Sequence, residues 1–458
     1  MRVPATIFRQ YDIRGTVGDQ LTPDLARAVG GSFATLANER LGRPARIAVG
    51  RDNRPSGPAL TDAVCEGIVA AGGSTVEVGM LPTPALYFAT HTLGVDGGLQ
   101  VTGSHNPPEF NGFKMVLGGE AIAGDDIQRL YGIIAADRIG RGPAGTRASD
   151  GSVLAAYRDA IVSRNTPLAR PVKVVVDCGN GVTSLVAIET LRGIGCDVIP
   201  LFAESDGTFP NHHPDPTVVE NLRDLRAAVQ RERAELGIAF DGDGDRIGAV
   251  DEKGTPVFGD TLLVLFGRDL ADRMGPGLPV IFDVKCSEVL PQELKRAGLV
   301  PTMWKTGHSL IKQKMKEIKA PLAGEMSGHV FFGGDWFGFD DALFAAARLL
   351  QYVARVGGPL SRLLADLPQT VSTPELRVDC PDERKFGVVE RAAGYFAARY
   401  PVSTLDGVRI TFAEGWGLLR ASNTQPVLVL RFEARTPEAL ATYRGEVEGW
   451  LARHAAEP

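Results

Sequence analysis

The chain has 458 residues and a formal net charge of −6 at pH 7, with 44% hydrophobic and 23% charged residues. This length allows several domains with separate cores, and the composition excludes a disordered chain. A net negative charge without a long basic run argues against nucleic-acid partners, and no apolar stretch is long enough to span a bilayer, so we expect no membrane partner either.

The N-terminal segment and the cysteines indicate the compartment. Residues 1–9 lack the apolar core of a secretory signal. The five cysteines are scattered, odd in number and form no CxxC pair, which favours reduced, mostly buried thiols. We therefore expect a cytoplasmic protein.

The first predicted elements form a strand–helix–strand unit, with a strand over 46–50, a helix over 59–71 and a second strand over 74–78. The same order recurs twice more along the chain, as a strand, a helix and a strand over 172–177, 184–192 and 196–199, and again over 279–283, 288–296 and 300–304. Such units build layered α/β domains with parallel strand pairs. The sequence therefore predicts three related mixed-sheet α/β domains.

The C-terminal part has a different pattern. Strands are predicted around 408–410, 417–420 and 427–432, followed by a helix over 437–454, which is typical of a small antiparallel α+β domain. Gly- and Pro-rich or turn-like segments at 140–145, 252–256 and 366–374 separate the units. The predicted domains are 1–145, 146–254, 255–368 and 369–458.

Ser104 lies in a loop stiffened by Gly103, Pro107 and Pro108, between an apolar run over 98–101 and a strand-like run over 112–117. A fixed loop that presents a hydroxyl, with Lys114 close behind, suits a nucleophile or a phosphate carrier. The alternative for such a segment is ordinary turn chemistry.

Asp241, Asp243 and Asp245 alternate with glycines between two predicted strands. Three carboxylates in one curled loop can converge on a cation, and an all-oxygen ligand set favours Mg²⁺ over Zn²⁺. An EF-hand is excluded because Arg246 occupies the position that needs glycine and strands flank the loop. The remaining alternative is a solvated acidic turn.

One Mg²⁺ beside a serine suggests phosphoryl transfer, in which the protein mainly positions donor and acceptor. The chain has neither a Walker-type glycine loop nor a kinase signature, so a nucleotide donor is not indicated. The phosphoryl group would then reside on the enzyme as phosphoserine.

Two further loops carry polar groups. Residues 420–424 bring one guanidinium, two hydroxyls and an amide within five positions, a donor set for a phosphate dianion, with a polar hairpin turn as the alternative. In 324–329, Glu325 can accept from sugar hydroxyls while Ser327 and His329 add hydrogen bonds, with a satisfied structural loop as the alternative. His308, read without its context, is more typical of a structural histidine.

Taken together, these motifs resemble those of the α-D-phosphohexomutases, most closely the bacterial phosphomannomutase/phosphoglucomutase group. The resemblance runs nearly end to end. It rests on the segments around the motif residues, namely 8–15, 102–114, 241–246, 283–286, 305–312, 324–329, 336–341 and 415–424. It implies four domains around a central cleft, each contributing one loop.

The resemblance also implies roles. Ser104 would be phosphorylated, with one Mg²⁺ held by Asp241, Asp243, Asp245 and the serine phosphate. Proton transfer and transition-state charge would fall to Lys114, Arg14 and His329. The residues implied in substrate binding are Tyr11, Arg246, Lys285, His308, Glu325, Ser327, Arg420, Ser422, Asn423 and Thr424, the last four at the distal phosphate.

The implied activity is reversible interconversion of hexose 1-phosphate and hexose 6-phosphate, for mannose, glucose or both. Phosphoserine would give a hexose 1,6-bisphosphate that reorients in the cleft and also serves as the activator. The alternatives are a phosphoglucosamine mutase, a sugar phosphohydrolase and a non-catalytic sugar-phosphate-binding protein. We expect a monomer or a weak homo-oligomer.

Overall fold

The structure is a computed structural model that describes residues 3–165 and 167–454. Within these residues the strands form four sheets, one for each of four domains in chain order. The predicted fold class is confirmed: three mixed α/β domains are followed by a smaller domain with an antiparallel sheet. None of the helices in these residues is both long enough and apolar enough to cross a membrane.

The first domain has a seven-stranded sheet in the order β1-β5-β4-β2-β3-β7, with β6 beside β5. Its strands are β1 Ile13–Thr16, β2 Arg46–Arg51, β3 Ser74–Met80, β4 Gly97–Val101, β5 Phe110–Leu117, β6 Glu120–Ala121 and β7 Arg147–Ser149. Its helices are α1 Pro23–Leu41, α2 Gly57–Ala70, α3 Thr83–Thr92 and α4 Asp125–Ala135. Strand β7 lies beyond residue 145 and pairs with β3, so sheet membership favours a first boundary after residue 149.

The second domain has the strand order β12-β11-β10-β8-β9. Its strands are β8 Lys173–Asp177, β9 Asp197–Leu201, β10 Leu236–Phe240, β11 Ile247–Asp251 and β12 Pro256–Val257. Its helices are α5 Val153–Asn165, α6 Ala187–Gly193 and α7 Arg223–Glu232. Strand β8 is buried from Val174 to Asp177, as its run of β-branched residues predicts.

The third domain has the strand order β14-β13-β15-β16. Its strands are β13 Pro279–Asp283, β14 Val300–Trp304, β15 Leu322–Gly324 and β16 Val330–Phe332. Its helices are α8 Gly259–Met274, α9 Val289–Arg296, α10 His308–Ile318, α11 Ala342–Val356 and α12 Leu360–Leu363. Short 3₁₀ turns over Ala5–Ile7, Val182–Leu185 and Val219–Leu222 complete the first two domains.

The fourth domain has the antiparallel strand order β17-β22-β21-β20-β19, with β18 also on β22. Its strands are β17 Val371–Ser372, β18 Leu376–Asp379, β19 Val402–Ser403, β20 Val408–Phe412, β21 Gly415–Ala421 and β22 Val427–Ala434, and its helices are α13 Asp382–Ala397 and α14 Pro437–His454. Phe396, Phe432 and Trp450 lie in a core of its own.

The first three domains share one arrangement of four strands. In the orders β3-β2-β4-β5, β9-β8-β10-β11 and β14-β13-β15-β16, the first three strands are parallel and the fourth is antiparallel. The connection before the antiparallel strand contains Ser104 in the first domain, the aspartates in the second and Glu325 in the third. The three predicted loops are therefore topologically equivalent.

All five cysteines are buried, and none forms a disulfide within the described residues, as predicted. One continuous core runs through the second and third domains and part of the first. By contrast, the fourth domain contacts the third through a small apolar cluster of Val284, Trp416 and Leu418. The packing thus joins the first three domains more extensively than it joins the fourth to them.

Candidate active site

The serine loop and the aspartate loop are in direct contact. The Ser104 hydroxyl donates to Asp241 Oδ2 at 3.1 Å. A Cβ on Gly242 would lie 2.4 Å from the Ser104 carbonyl oxygen, so the close approach of the two loops requires glycine there. The two motifs, 137 positions apart in sequence, thus form one site.

The serine loop is held by a buried guanidinium that we did not predict. Arg54 is fully buried and donates to the backbone carbonyls of Ser104 at 2.8 Å and Asn106 at 2.6 Å. Its partner Asp52 lies 3.0 Å away and accepts the Gly103 N–H. Arg54 therefore fixes the curled loop in which Ser104 has a φ of 52°.

The Ser104 hydroxyl faces a neutral histidine. Oγ lies 3.1 Å from Nδ1 of His105. Burial, followed by the charges of Arg246, Arg14 and Lys114, holds the pKa of His105 well below its usual value. The serine is 2% exposed, and the same three cationic side chains act on its neighbour His105, an environment suited to a phosphorylated residue.

The aspartate loop is organised around Asp241. Its Oδ1 accepts the backbone N–H groups of Gly244 at 2.9 Å, Asp245 at 3.1 Å and Arg246 at 3.1 Å. Burial raises the pKa of Asp241, and the neighbouring charges of Asp245 and Asp243 raise it further. These carboxylates repel one another, and a cation between them would relieve the repulsion.

The three aspartates fit a hard cation. One carboxylate oxygen from each lies within 4.8 Å of the others, and all three residues are fully buried. Asp243 Oδ1 and Asp245 Oδ1 have no hydrogen-bond partner within the described residues, so each has a free oxygen for a metal. Strands β10 and β11 flank the loop, which confirms that it is not an EF-hand.

Lys114 neutralises the other carboxylate oxygens. Its Nζ donates to Asp243 Oδ2 at 2.8 Å and also contacts Asp245 Oδ2. Although burial opposes the charged ammonium, Asp243 and Asp245 raise the pKa of Lys114 well above its usual value. Thr83 and Thr102 add hydrogen bonds to Asp243 Oδ2 at 2.6 and 3.2 Å. Lys114 is therefore a buried cation paired with two carboxylates of the aspartate loop.

His329 connects the second and third domains. Arg246 Nε donates to His329 Nε2 at 3.0 Å, while His329 Nδ1 lies 3.2 Å from Asp340 Oδ2. Because Nε2 accepts, the proton of a neutral His329 ring lies on Nδ1, facing Asp340. Asp245, His329 and Asp340 also lie close enough to ligate a metal, but a protonated Nδ1 is not a ligand, so we interpret the two carboxylates as electrostatic partners of the ring.

His308 and Lys312 complete this group around the buried Asp340. Lys312 Nζ lies 2.9 Å from Asp340 Oδ1, and His308 Nδ1 lies 3.6 Å from Oδ2. Burial, then the charge of Lys312, lowers the pKa of His308 well below its usual value. His308 therefore contributes a neutral ring at the N-terminus of α10.

The predicted sugar-recognition loop turns between β15 and β16. Glu325 is buried and accepts the Gly307 N–H at 2.7 Å, and its pKa is raised, mainly by burial. Ser327 lies partly buried in the same turn. Lys285 lies 3.3 Å from Glu375 of the fourth domain, a partner that the sequence did not identify.

The predicted distal phosphate loop lies between β21 and β22. Arg420 is buried and pairs with Asp406 at 3.1 Å. Ser422 Oγ accepts the backbone N–H groups of Thr424 at 3.3 Å and Gln425 at 3.1 Å, which leaves its hydroxyl proton as a donor. These bonds close a turn over residues 422–425 within the loop.

Tyr11 joins this loop to two other domains. Its hydroxyl donates to the Thr306 carbonyl at 2.7 Å and accepts from Asn423 Nδ2 at 2.7 Å. Burial raises the pKa of Tyr11 to about 12, so the hydroxyl remains protonated. The fourth predicted loop therefore reaches the others through Tyr11.

Arg14 faces the serine loop from β1. It donates to Asn106 Oδ1 at 2.7 Å and to Asp12 Oδ2 at 2.5 Å. The predicted site residues thus form one group at the serine and aspartate loops and a second at residues 420–424, with His308, Lys285 and the Glu325 loop in the third domain between them.

Comparison with known proteins identifies the family. The four domain profiles described as phosphoglucomutase/phosphomannomutase domains I, II, III and the C-terminal domain match residues 5–139, 155–254, 258–371 and 375–449. The chain belongs to the phosphoglucomutase/phosphomannomutase family.

Individual relatives agree with this assignment. A phosphomannomutase/phosphoglucomutase of Pseudomonas aeruginosa is 48% identical over 96% of this chain and 94% of its own. A phosphoglucomutase of Neisseria gonorrhoeae is 46% identical over 95% and 94%. The solved structure of a phosphoglucomutase/phosphomannomutase family protein from Burkholderia thailandensis, 45% identical, covers 100% of this chain and 99% of its own, with a TM-score of 0.92.

In this member of the family, several polar residues of the site were not singled out from the sequence as functional. They are Asp52, Arg54, Thr83, Thr102, His105, Asp340, Glu375 and Asp406. His105 and Asp340 lie within the motifs used for the resemblance, so motif position was an available signal. Asp52 and Arg54 follow β2 directly, and polar residues after a parallel strand are common in sites.

Proposed function

We propose that this chain reversibly interconverts the 1-phosphates and 6-phosphates of glucose, mannose or both. The relatives named phosphomannomutase/phosphoglucomutase support this reaction class for a chain that matches them over nearly its whole length. The observation that carries the proposal is the buried Ser104 hydroxyl, which lies 3.1 Å from Asp241 in the aspartate loop where Lys114 pairs with Asp243. The phosphoglucosamine mutase, the phosphohydrolase and the binding protein are not favoured.

In the proposed reaction, the phosphoryl group moves between Ser104 Oγ and a sugar hydroxyl. The Oγ–P bond breaks, a bond from O6 or O1 to phosphorus forms, and the hydroxyl proton passes to a base. The bisphosphate then reorients, and its other phosphoryl group returns to Ser104. Every atom of the phosphoryl group is conserved, so hexose 1,6-bisphosphate acts as intermediate and activator.

The proposed metal is one Mg²⁺, held by Asp241, Asp243, Asp245 and the phosphate of Ser104. When bound, it would neutralise charge on phosphate oxygens. The free oxygens of Asp243 and Asp245 support this assignment. Lys114 holds the opposite oxygens of both carboxylates and thereby orients them.

The division of labour among the catalytic candidates follows from their charges. The raised pKa of Lys114 keeps it protonated, which suits the stabilisation of charge on the transferring group. Arg14 is a poor base at the ordinary pKa of arginine. His329, with Nε2 as an acceptor, can take a proton when Arg246 turns towards the substrate.

Substrate binding is assigned to the opposite side of the cleft. Glu325 and Ser327 would bind sugar hydroxyls, helped by Lys285, His308, Tyr11 and Arg246. Arg420, Ser422, Asn423 and Thr424 would bind whichever phosphate is distant from the metal. Because the sugar must bind in two orientations, this second group recognises features common to both. A cytoplasmic location and a monomeric or weakly oligomeric state complete the proposal.

A coupled assay tests the proposal. Purified protein with Mg²⁺ is given glucose 1-phosphate, mannose 1-phosphate or glucosamine 1-phosphate, each with and without the matching 1,6-bisphosphate. We expect turnover of the first two substrates, stimulated by bisphosphate, and little of the third. Preferred turnover of glucosamine 1-phosphate, or release of inorganic phosphate at the rate of substrate loss, would contradict it.

A further inference from the structure

Lys385 lies outside the motif residues, at the start of helix α13, and only 3% of it is exposed. A buried ammonium requires partners for its three N–H groups. Lys385 Nζ donates to Asp382 Oδ1 at 2.6 Å and to the backbone carbonyls of Ser422 at 2.5 Å and Gln425 at 3.0 Å. All three of its protons therefore have acceptors, and two of these lie in the loop between β21 and β22.

These two carbonyls bracket the segment assigned to the distal phosphate. Because Ser422 and Gln425 direct their carbonyls towards Lys385, the loop is drawn back onto α13. The side chain of Asn423 meanwhile extends to Tyr11 on the cleft side. A further bond from the Cys380 N–H to the Pro426 carbonyl, at 2.9 Å, ties the next residue of the loop to the segment before α13.

The same group of contacts reaches the first domain. Asp382 accepts from Lys385 through Oδ1 and from Arg9 NH1 through Oδ2, the latter at 3.0 Å. Arg9 is two positions from Tyr11, which contacts the loop directly. One short segment of the first domain thus contacts the loop at Asn423 and, through Asp382 and Lys385, at its backbone.

We propose that Lys385 is a positioning residue for the distal phosphate loop. It sets the backbone conformation in which Ser422, Asn423 and Thr424 can bind a phosphate dianion, and Asp382 links that conformation to Arg9 when the first and fourth domains meet. Lys385 itself has no contact with substrate. This inference rests on the proposed function, since it takes residues 422–424 as the phosphate loop.

The test measures binding without turnover and loop protection in the same proteins. In a Ser104→Ala background, which cannot carry the phosphoryl group, the Kd of glucose 1-phosphate is measured by calorimetry for Lys385→Met, Lys385→Arg and the control Lys295→Met, an exposed lysine of α9. Amide hydrogen exchange is followed for peptides covering residues 420–428 and, as reference, 102–108.

We expect Lys385→Met to raise Kd at least tenfold and to speed exchange in 420–428 alone. The Kd and the exchange rate of Lys385→Arg should lie between those of Lys385→Met and those of the Ser104→Ala background. Both quantities for Lys295→Met should match the background. A Kd within twofold of the background for Lys385→Met, or unchanged exchange in 420–428, would overturn the inference.

Two further outcomes are distinguishable. If the Ser104→Ala background binds neither glucose 1-phosphate nor mannose 1-phosphate, the proposed function fails, and the exchange rates alone decide whether Lys385 orders the loop. If Lys385→Met does not fold, as judged by its melting curve, Lys385→Arg and Asp382→Asn decide. Each should raise Kd severalfold with faster loop exchange, and unchanged values for both would overturn the inference.

Discussion

Ser104 combines a reactive position with an unusual backbone. Its φ of 52° lies in the left-handed region, which costs a non-glycine residue about 1 kcal/mol. Arg54 holds the loop in this conformation by donating to the backbone carbonyls of Ser104 and Asn106. Within the serine loop, the residue with this backbone conformation is the one that would carry the phosphoryl group. The loop conformation is therefore maintained by its surroundings and not by the serine side chain.

Ser104→Ala should remove nearly all mutase turnover and leave the melting temperature within a few degrees of the parent, because one loop hydroxyl contributes little to stability. Ser104→Gly, which suits the left-handed backbone, should be equally inactive and at least as stable. Turnover in the coupled assay and thermal melting check both. Near-normal activity of either variant would contradict the phosphoserine assignment.

Asp243→Asn should raise the Mg²⁺ concentration for half-maximal activity about tenfold or more, since it removes one of three hard anionic ligands. Metal titration of the chelator-treated enzyme measures this. Asp159→Asn, an exposed aspartate of α5, is the matched control and should titrate like the parent. Full activity of the parent after exhaustive chelation would refute the metal assignment itself.

Glu375 provides a test of stability against pH. The pKa of the Glu375 carboxyl is lowered from the ordinary 4.5 to about 2, chiefly by the charge of Lys285. Because the pKa of this carboxylate is lower in the folded chain than in the unfolded chain, its ionised form stabilises the fold above pH 4.5. This contribution is lost as the pH falls towards 2. For this partly buried pair we expect a contribution of about 2 kcal/mol to the free energy of unfolding.

Glu375→Gln should therefore have a lower melting temperature than the parent at pH 7. The difference between the two melting temperatures should become smaller as the pH is lowered from 5 towards 3. Melting curves of both proteins across that range measure the narrowing. A difference in melting temperature that does not change with pH would show that the ionisation of Glu375 beside Lys285 does not contribute to stability.

At the scale of elements, the equivalent hairpin connections explain why the first three loops meet. Each connection leaves the third parallel strand of a sheet and returns along an antiparallel strand. Each of the three domains therefore has its loop at the same position of its sheet, at the carboxyl end of the third parallel strand. Packing of the domains then brings Ser104 and the aspartates into contact. Arg246, just before β11, then reaches His329, just before β16.

Gly242→Ala tests this contact between loops. The added Cβ would lie 2.4 Å from the Ser104 carbonyl, so one loop must move away from the other. We expect a loss of turnover of at least a hundredfold and weaker metal binding, with a drop of only a few degrees in melting temperature. Gly132→Ala, within α4 and with nothing near its Cβ, should retain activity and gain slightly in stability.

At the scale of the molecule, the fourth domain is joined to the rest by little apolar packing and by a larger set of polar contacts. Its own core is separate, and the apolar cluster of Val284, Trp416 and Leu418 is small. Polar contacts such as Tyr11 with Asn423 and Arg9 with Asp382 complete the junction with the first domain. The fourth domain is thus held against the other domains mainly by directional polar bonds.

Tyr11→Phe should weaken this attachment of the fourth domain. Loss of the hydroxyl removes two hydrogen bonds, each worth about 1 kcal/mol net, so KM should rise by up to about thirtyfold. Small-angle scattering should show a larger radius of gyration. Tyr400→Phe removes a hydroxyl that bonds Glu446 within the fourth domain and should change neither quantity. If KM and the radius of gyration of Tyr11→Phe are unchanged, contacts other than those of Tyr11 hold the fourth domain against the rest.

The sequence by itself determined the local elements and the chemistry of the loops. The strands of the three α/β units and the helix at 437–454 were predicted because apolar periodicity and turn residues act within a few positions of one another. The serine and aspartate loops were found for the same reason, since each motif is contiguous. Their chemistry follows from residue type, whatever the surrounding fold.

Only the tertiary structure decided which groups hold those loops in place. Arg54 binds carbonyls some 50 positions away, Glu375 pairs with Lys285 across 90, and Asn423 meets Tyr11 across 412. No local pattern records such partners, because burial and pairing between distant segments depend on how whole domains pack. Lys385 illustrates this: the sequence shows one lysine of a helix, and only the fold places its ammonium against the carbonyls of Ser422 and Gln425.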